Sequence, residues 1–410
     1  MQKSLKRFST FYIDSYKGLS MNSWMLALTA LVNRSGSMAL PFMGLYLKEA
    51  EAFNLSQVGI LLALYGLGAA FGSLLGGMLT DKLGAFWVQF YSLSLGGFGF
   101  ILLSFVHGFY SVAAAIVLVS TLAESLRPAN MSAIAQYAKP ENITRAISLN
   151  RMAINLGYSI GPAIGGFLAL YNYQYIFWFD GATCMLASIL FYFYFRKQEV
   201  RSIPKPKTSA LKDLSEVLKD KVYRRFILYA MTYAILFFQL FNSIPLYLRS
   251  TGQANESTIG LLFAVNGVLV FLLEMPLVAF MQKKFGTTKS ISIGFILVGL
   301  GLAALLLPAQ LSVFILCFAL ISLSEILALP FLITKATSFT NAKNRGSYMG
   351  VYALGFSISY ILSPSISLNL IEISSYDWAW IILSILAFCI AFLGWKGLFN
   401  RAENKTQHKV

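Results

Sequence analysis

The chain has 410 residues, of which 57% are hydrophobic and 12% charged, and its mean hydropathy is +0.67. No soluble domain hides that much apolar surface, so the composition excludes a globular protein of the cytosol and requires a bilayer as solvent. The formal net charge of +15 reads as membrane topology and contact with anionic lipid rather than as a nucleic-acid footprint, because Lys and Arg gather on one set of loops.

Residues 1–22 form a basic N-terminal segment. Lys3, Lys6 and Arg7 precede a mixed stretch, Phe8 to Ser20, that Asp14 and Lys17 interrupt. It is not a cleavable signal peptide and is expected to lie along the inner membrane surface as a short amphipathic helix. From about Ser23 to about Phe399, some twelve apolar runs follow, each long enough to cross a hydrocarbon core of ~30 Å as helix. The alternation of a transmembrane β-barrel is missing. The expectation is an all-α membrane protein of 12 transmembrane helices.

The first run carries Asn33 and Arg34, polar groups inside an apolar stretch. In the second, Gly68, Gly72 and Gly76 recur every four residues and make a smooth helix face on which a neighbouring backbone can rest. That run ends at Gly77-Met78-Leu79-Thr80-Asp81-Lys82-Leu83-Gly84. This stretch resembles the loop signature between the second and third helices of the major facilitator superfamily (MFS), with Gly77, Leu79, Asp81, Lys82 and Gly84 matching. It departs at Ala85 and Phe86, where the family usually places basic residues. The resemblance implies two pseudo-symmetric six-helix bundles that rock about a central site, with Asp81 helping to latch them on the cytoplasmic side. A carboxylate set against a helix N-terminus suits that role.

The fourth run holds Glu124 and Arg127, three apart and so on one helix face, followed by Pro128 and Asn130. An ionisable group at membrane depth is costly and marks a pathway or proton site by default. Pairing lowers the cost of both charges, and Arg34 is a second candidate partner. Glu124 is the candidate proton carrier; Arg34, Arg127, Asn33 and Asn130 are candidates for positioning it or the substrate. The fifth run contains Gly157-Tyr158-Ser159-Ile160-Gly161-Pro162-Ala163-Ile164-Gly165-Gly166. It resembles the Gly-Pro pattern of the antiporter branches of the same superfamily, which implies export. Pro162 bends the helix, while Gly157, Gly161, Gly165 and Gly166 allow close packing that could seal a leak at the domain interface. Asp180, near the outer end of the sixth run, is expected to make a structural hydrogen bond.

Residues 23–195 thus form a first six-helix bundle, and residues 196–222 a basic cytoplasmic linker with Pro204 and Pro206. Within that linker, Leu211, Leu214, Val217 and Leu218 fit one face of a surface helix. A second bundle, residues 223–399, and a tail, residues 400–410, complete the chain. Its candidate cavity residues are Gln239 and Asn242 in the seventh run, Asn266 in the eighth and Tyr352 in the eleventh. Glu274 in the eighth run and Glu325 in the tenth have no arginine on their own helices, and a carboxyl removed from water without a cation beside it favours its protonated form. Both are candidate proton sites.

A shift of 201 positions carries Ser56, Gly59, Leu61, Ala63 and Gly66 onto Ser257, Gly260, Leu262, Ala264 and Gly267. The same shift carries Lys82 onto Lys283 and Glu124 onto Glu325. This is the trace of two parallel repeats about an axis along the membrane normal. Of the 32 Lys and Arg, Arg34 and Arg127 fall in the membrane, Lys48 and Arg249 on one side, and the remaining 28 on the other, which puts both termini in the cytoplasm.

Cys184, Cys317 and Cys389 sit in separate runs without metal-ligand spacing, and no cofactor or metal is expected. There is no phosphate-binding loop and no nucleophile motif, and both histidines, His107 and His408, lie outside the apolar runs. The chain is expected to be a non-enzymatic, monomeric secondary transporter in the cell membrane, the inner membrane if bacterial. Its expected partners are protons, lipids and a small molecule. The reading is a drug:proton antiporter-like exporter of an amphiphilic compound; a nutrient symporter and a transport-inactive scaffold or sensor are the alternatives.

Overall fold

The computed structural model describes residues 18–139, 142–198, 217, 219–340 and 345–396, and the regular structure among them is helical. Most of the expected N-terminal surface helix, most of the linker and the tail lie outside the described residues. Eleven segments are continuous and apolar enough to cross a membrane. The second to sixth spans are Leu55–Leu83, Ala85–Leu103, Phe109–Tyr137, Arg145–Tyr171 and Gln174–Phe195. The seventh to twelfth are Lys221–Ser250, Glu256–Lys284, Gly286–Ala304, Leu311–Ser338, Ser347–Ile373 and Tyr376–Trp395. The first is the exception: helix Met21–Ser35 stops at Gly36 and restarts as Ala39–Leu45, which widens into a π-turn, Tyr46–Ala50.

The repeat seen in the sequence is also a repeat of local structure. The break at Gly36–Met38, moved by 201 positions, falls on Phe237–Gln239, where the seventh span passes through a 3₁₀ turn, Phe238–Leu240, before resuming as Ser243–Ser250. Asn54 caps the second span by accepting from the Gln57 N–H at 2.8 Å, and Asn255 caps the eighth by accepting from the Thr258 N–H at 3.0 Å. Each side-chain oxygen satisfies a donor that the first helical turn leaves unpaired.

The even number of spans puts Gly18, Gln198, Lys219 and Lys396 on one face of the bundle, here called the linker side; the other is the far side. The two halves meet along two seams. In one, Gly59 and Gly66 of the second span pack on Pro364, Leu368, Tyr360 and Ile361 of the eleventh. In the other, the repeat-related Gly260 and Gly267 of the eighth span pack on Pro162, Gly166 and Ser159 of the fifth. A Cβ at Gly66 would stand 2.7 Å from Tyr360 Cδ1, which explains the residue type: helices this close admit only a hydrogen. Ser56 adds a side-chain bond to Asn369 Oδ1 at 2.5 Å, and its backbone N–H donates to Glu372. Toward the linker side the seam of the second and eleventh spans is open: among the described residues, no heavy atom of another helix lies within 4 Å of where a Cβ would stand at Gly77 or Gly350. The molecule is closed at the far side.

The glycines Gly68, Gly72 and Gly76 pack on Val117, Ser120, Thr121 and Ser125 of the fourth span, inside the first half. Thr121 and Ser125 hydroxyls donate to the carbonyls of Gly68 and Gly72 at 3.1 and 2.9 Å. Gly157, Gly161 and Gly165 likewise pack on the first span, against Arg34, Ser35, Ser37 and Met38. The expectation that this whole stripe lines the interface between the halves is therefore corrected: of the motif, it is Ser159, Pro162 and Gly166 that meet the glycines of the eighth span. A stripe spaced by four occupies one face of a helix, and Gly166, one residue further, points some 100° away.

Candidate functional site

The fourth span bends where Phe109–Glu124 gives way to Leu126–Tyr137, and the bend falls at the charged pair. Arg127 Nε lies 2.9 Å from Glu124 Oε2; the Glu124 side chain is 13% exposed and the Arg127 side chain 66% exposed. Arg127 lines a cavity of about 140 Å³ together with Asn33, Arg34, Gln89, Asn130, Asn150 and Arg151, so its open surface faces that cavity. The cavity lies within the first half, among its first, third, fourth and fifth spans. Arg34 stacks over the Tyr158 ring at 5.3 Å from its centroid. The four N-terminal polar residues singled out in the sequence, Asn33, Arg34, Arg127 and Asn130, are thus brought to one cavity wall.

Asp180, as expected, is structural. Its Oδ2 accepts from the Ala39 N–H at 3.1 Å, and its Oδ1 accepts from Cys184 at 3.7 Å. Ala39 begins the helix that restarts after the break, and the buried acid satisfies a donor that the interruption leaves without a carbonyl. Asn33 is tied to the same corner by donating to Cys184 Sγ at 3.2 Å.

In the second half, Asn266 donates to Ser322 Oγ at 2.9 Å and to Glu325 Oε2 at 3.3 Å. Glu325 thus holds its expected place on the tenth span with an amide, rather than a cation, as partner. Glu274 departs from expectation. Arg151 Nη2 of the fifth span lies 3.3 Å from its Oε1, so the acid read as unpaired is held by a cation from the opposite half. Intrahelical spacing gives no notice of such a partner, 123 residues away. Arg151 itself was assigned to a cytoplasmic loop; it lies in the fifth span and lines the cavity.

Gln239, Asn242 and Tyr352 also differ from expectation. Gln239 and Asn242 both donate to Ser363 Oγ, at 2.9 and 3.2 Å, and Ser243 donates to Gln239 Oε1 at 2.5 Å. The broken seventh span needs partners for freed polar groups, and these side chains stitch it to the eleventh span. Tyr352 is buried against Phe226 and Phe356, with ring centroids 6.5 and 4.9 Å away. Asp81 and Lys82 are exposed at the linker-side end of the second span, and Gly84 makes the turn to the third with φ of 90°. Gln89 and Asn150 were missed; Gln89 is a lone amide in an apolar run, a signal available in the sequence, while Asn150 sits beside Arg151 and five residues before Asn155.

At the far side, Tyr173 of the first half donates to Glu256 Oε1 of the second at 2.7 Å, and Arg249 Nε lies 2.9 Å from the same oxygen. Burial, then the bond to Glu256, pushes the Tyr173 phenol well above its ordinary value, so it remains a donor throughout the physiological range.

Two repeat-related helical halves, closed at one face and carrying charged side chains at membrane depth beside a cavity, are the build of a multi-pass membrane transporter. A sequence profile of the Major Facilitator Superfamily matches residues 25–254 and 248–409, and the chain belongs to that family. It is similar to the multidrug resistance protein MdtH of Aeromonas salmonicida, with 22% identity over 82% of this chain and 84% of that protein. It is likewise similar to a Na(+), Li(+), K(+)/H(+) antiporter of Planococcus maritimus, with 22% identity over 92% and 95%. Among solved structures, a peptide transporter POT in complex with sulfate superposes with a TM-score of 0.80 at 16% identity, covering 94% of this chain and 96% of that one, a likeness of fold. These relatives are transporters, not enzymes.

Proposed function

We propose that the chain is a proton-coupled antiporter that exports a small amphiphilic compound, and that the linker side is cytoplasmic. The observation that carries this reading is the Glu124–Arg127 pair at 2.9 Å, whose arginine lines the cavity of the first half. A carboxylate so placed exchanges its arginine for a proton as the cavity changes sides, and each proton crossing inward gains about 2.3 kcal/mol per 100 mV. Glu325, held by Asn266, is a second protonation site. Glu274 acts with Arg151 as a tie between the halves, and Asp81 as part of a cytoplasmic latch. The likeness to the multidrug resistance protein MdtH and to the cation/proton antiporter supports export and proton exchange. The cavity favours an organic substrate over a metal cation, since its charged lining consists of Arg34, Arg127 and Arg151.

The test uses inside-out vesicles energised to an acidic interior, with a pH dye reporting as cationic, neutral and anionic amphiphiles are added. A compound that dissipates the gradient with the intact protein and not with Glu124→Gln supports the proposal. Proton uptake that instead follows nutrient import in right-side-out vesicles overturns it in favour of symport.

A further inference from the structure

The close ion pairs around the cavity of the first half leave one of its three arginines over. Arg127 is matched by Glu124 at 2.9 Å and Arg151 by Glu274 at 3.3 Å. Arg34 lies over the Tyr158 ring, and no carboxylate stands within ion-pair distance of it among the described residues. A guanidinium left without a close carboxylate at membrane depth is costly. The same cavity has a second imbalance. Gln89 and Asn150 line it, each residue is 2% exposed, and among the described residues neither Gln89 Oε1 nor Asn150 Oδ1 has a hydrogen-bond partner. Buried acceptors without donors are costly.

One kind of ligand settles both imbalances: an anion that satisfies Arg34 and carries hydroxyl groups that donate to the two amide oxygens. A zwitterion supplies donors as well, but its ammonium restores the positive charge that its carboxylate removes. A cavity of about 140 Å³ has room for on the order of ten water-sized sites, enough for a chain of several carbons. We propose that this cavity binds a hydroxylated carboxylate group, its carboxylate on Arg34 and its hydroxyls on Gln89 and Asn150. The proposal rests on reading the cavity as the place where the polar head of the exported compound sits.

Calorimetry on the purified full-length protein in nanodiscs, at constant ionic strength and without any gradient, tests it with three probes. Gluconate carries both features, sorbitol the hydroxyls alone and hexanoate the charge alone. Gluconate is expected to bind at least about tenfold more tightly than either of the others. Arg34→Gln should remove gluconate binding while Arg34→Lys retains part of it, and Gln89→Leu or Asn150→Leu should bring gluconate toward the affinity of hexanoate. Equal affinity for gluconate and hexanoate, equal affinity for gluconate and sorbitol, or undiminished gluconate binding in a monodisperse Arg34→Gln protein would each overturn the assignment, as would no binding of gluconate at all. Because binding is read without proton movement, gluconate binding without proton flux in vesicles would keep the site and remove the antiport reading. Proton-coupled efflux of an amphiphile with no gluconate binding would do the reverse.

Discussion

Arg151 Nη2 stands 3.3 Å from Glu274 Oε1, joining the fifth span of one half to the eighth span of the other at the linker-side end of their seam. Farther toward the far side the same two helices touch through Ser159 and Gly267, then through Gly166 and Gly260. The ion pair therefore terminates a packed zone that begins at Glu256.

Removing either charge should loosen that end. Arg151 is 62% exposed and Glu274 22%, so solvent screening keeps the pair to about 1 kcal/mol or less. Thermal unfolding of Arg151→Gln, Glu274→Gln and the double variant is expected to show a double effect smaller than the sum. Strict additivity would mean that the two charges do not communicate.

Glu124→Gln keeps the shape of the side chain and removes its charge. Substrate-driven proton movement in vesicles should fall by about tenfold or more, with protein abundance in the membrane unchanged. Unaltered coupling would move the proton site to Glu325, whose Glu325→Gln variant is the next to be assayed.

Asp180 separates a structural acid from a coupling one. Asn at this position retains an oxygen that can accept from the Ala39 N–H, so Asp180→Asn should transport normally. Asp180→Leu leaves that donor buried and unpaired and should destabilise the protein by about 1–3 kcal/mol. Loss of proton coupling in a stable Asp180→Asn protein would contradict the assignment.

Closure of the far side depends on Gly267 and its contact with Ser159. A Gly267→Leu side chain cannot fit there and is expected to hold the far side open. A cysteine at Ser56, in a background without Cys184, Cys317 and Cys389, should then react several-fold faster with a membrane-impermeant thiol reagent added at that side, since overpacking costs about 1–3 kcal/mol.

Tyr173→Phe should act in the same direction and more weakly, because Glu256 keeps Arg249 when the phenol is gone. The lost bond is worth about 1 kcal/mol, a several-fold change in Ser56 cysteine reactivity. A phenol raised above its free value of 10.0 contributes fully below pH 10 and loses its contribution only as pH rises toward the folded value. The effect of Tyr173→Phe should therefore be the same near pH 6 and near pH 9.

Features that depend on periodicity were legible in the sequence. The spans, the repeat and the Glu124–Arg127 pair follow from spacing along one helix, and the repeat-related glycines Gly59, Gly66, Gly260 and Gly267 turned out to form the seams. Partners drawn from different helices were not legible. Glu274 looked solitary because Arg151 reaches it from 123 residues away, and Gln239 and Asn242 looked like cavity groups because the break they repair carries no local mark beyond its own polarity. Asp180 was placed correctly in kind, yet the donor it serves, Ala39, belongs to an interruption that hydropathy reads as continuous helix.

The two interrupted helices also set the scale of any movement at the closed face. Beyond its break the first span runs only as Ala39–Leu45 before the π-turn, and the seventh only as Ser243–Ser250, and these two stubs meet where Gly44 faces Leu246 and the Asn242 carbonyl. At 1.5 Å per residue each is a lever roughly 10–12 Å long. A swing of about 20° at the joint, the size of an ordinary helix kink, carries its tip roughly 4 Å. Two such levers swinging apart clear a passage wider than a hydrocarbon chain while the longer inner segments of both helices stay where they are.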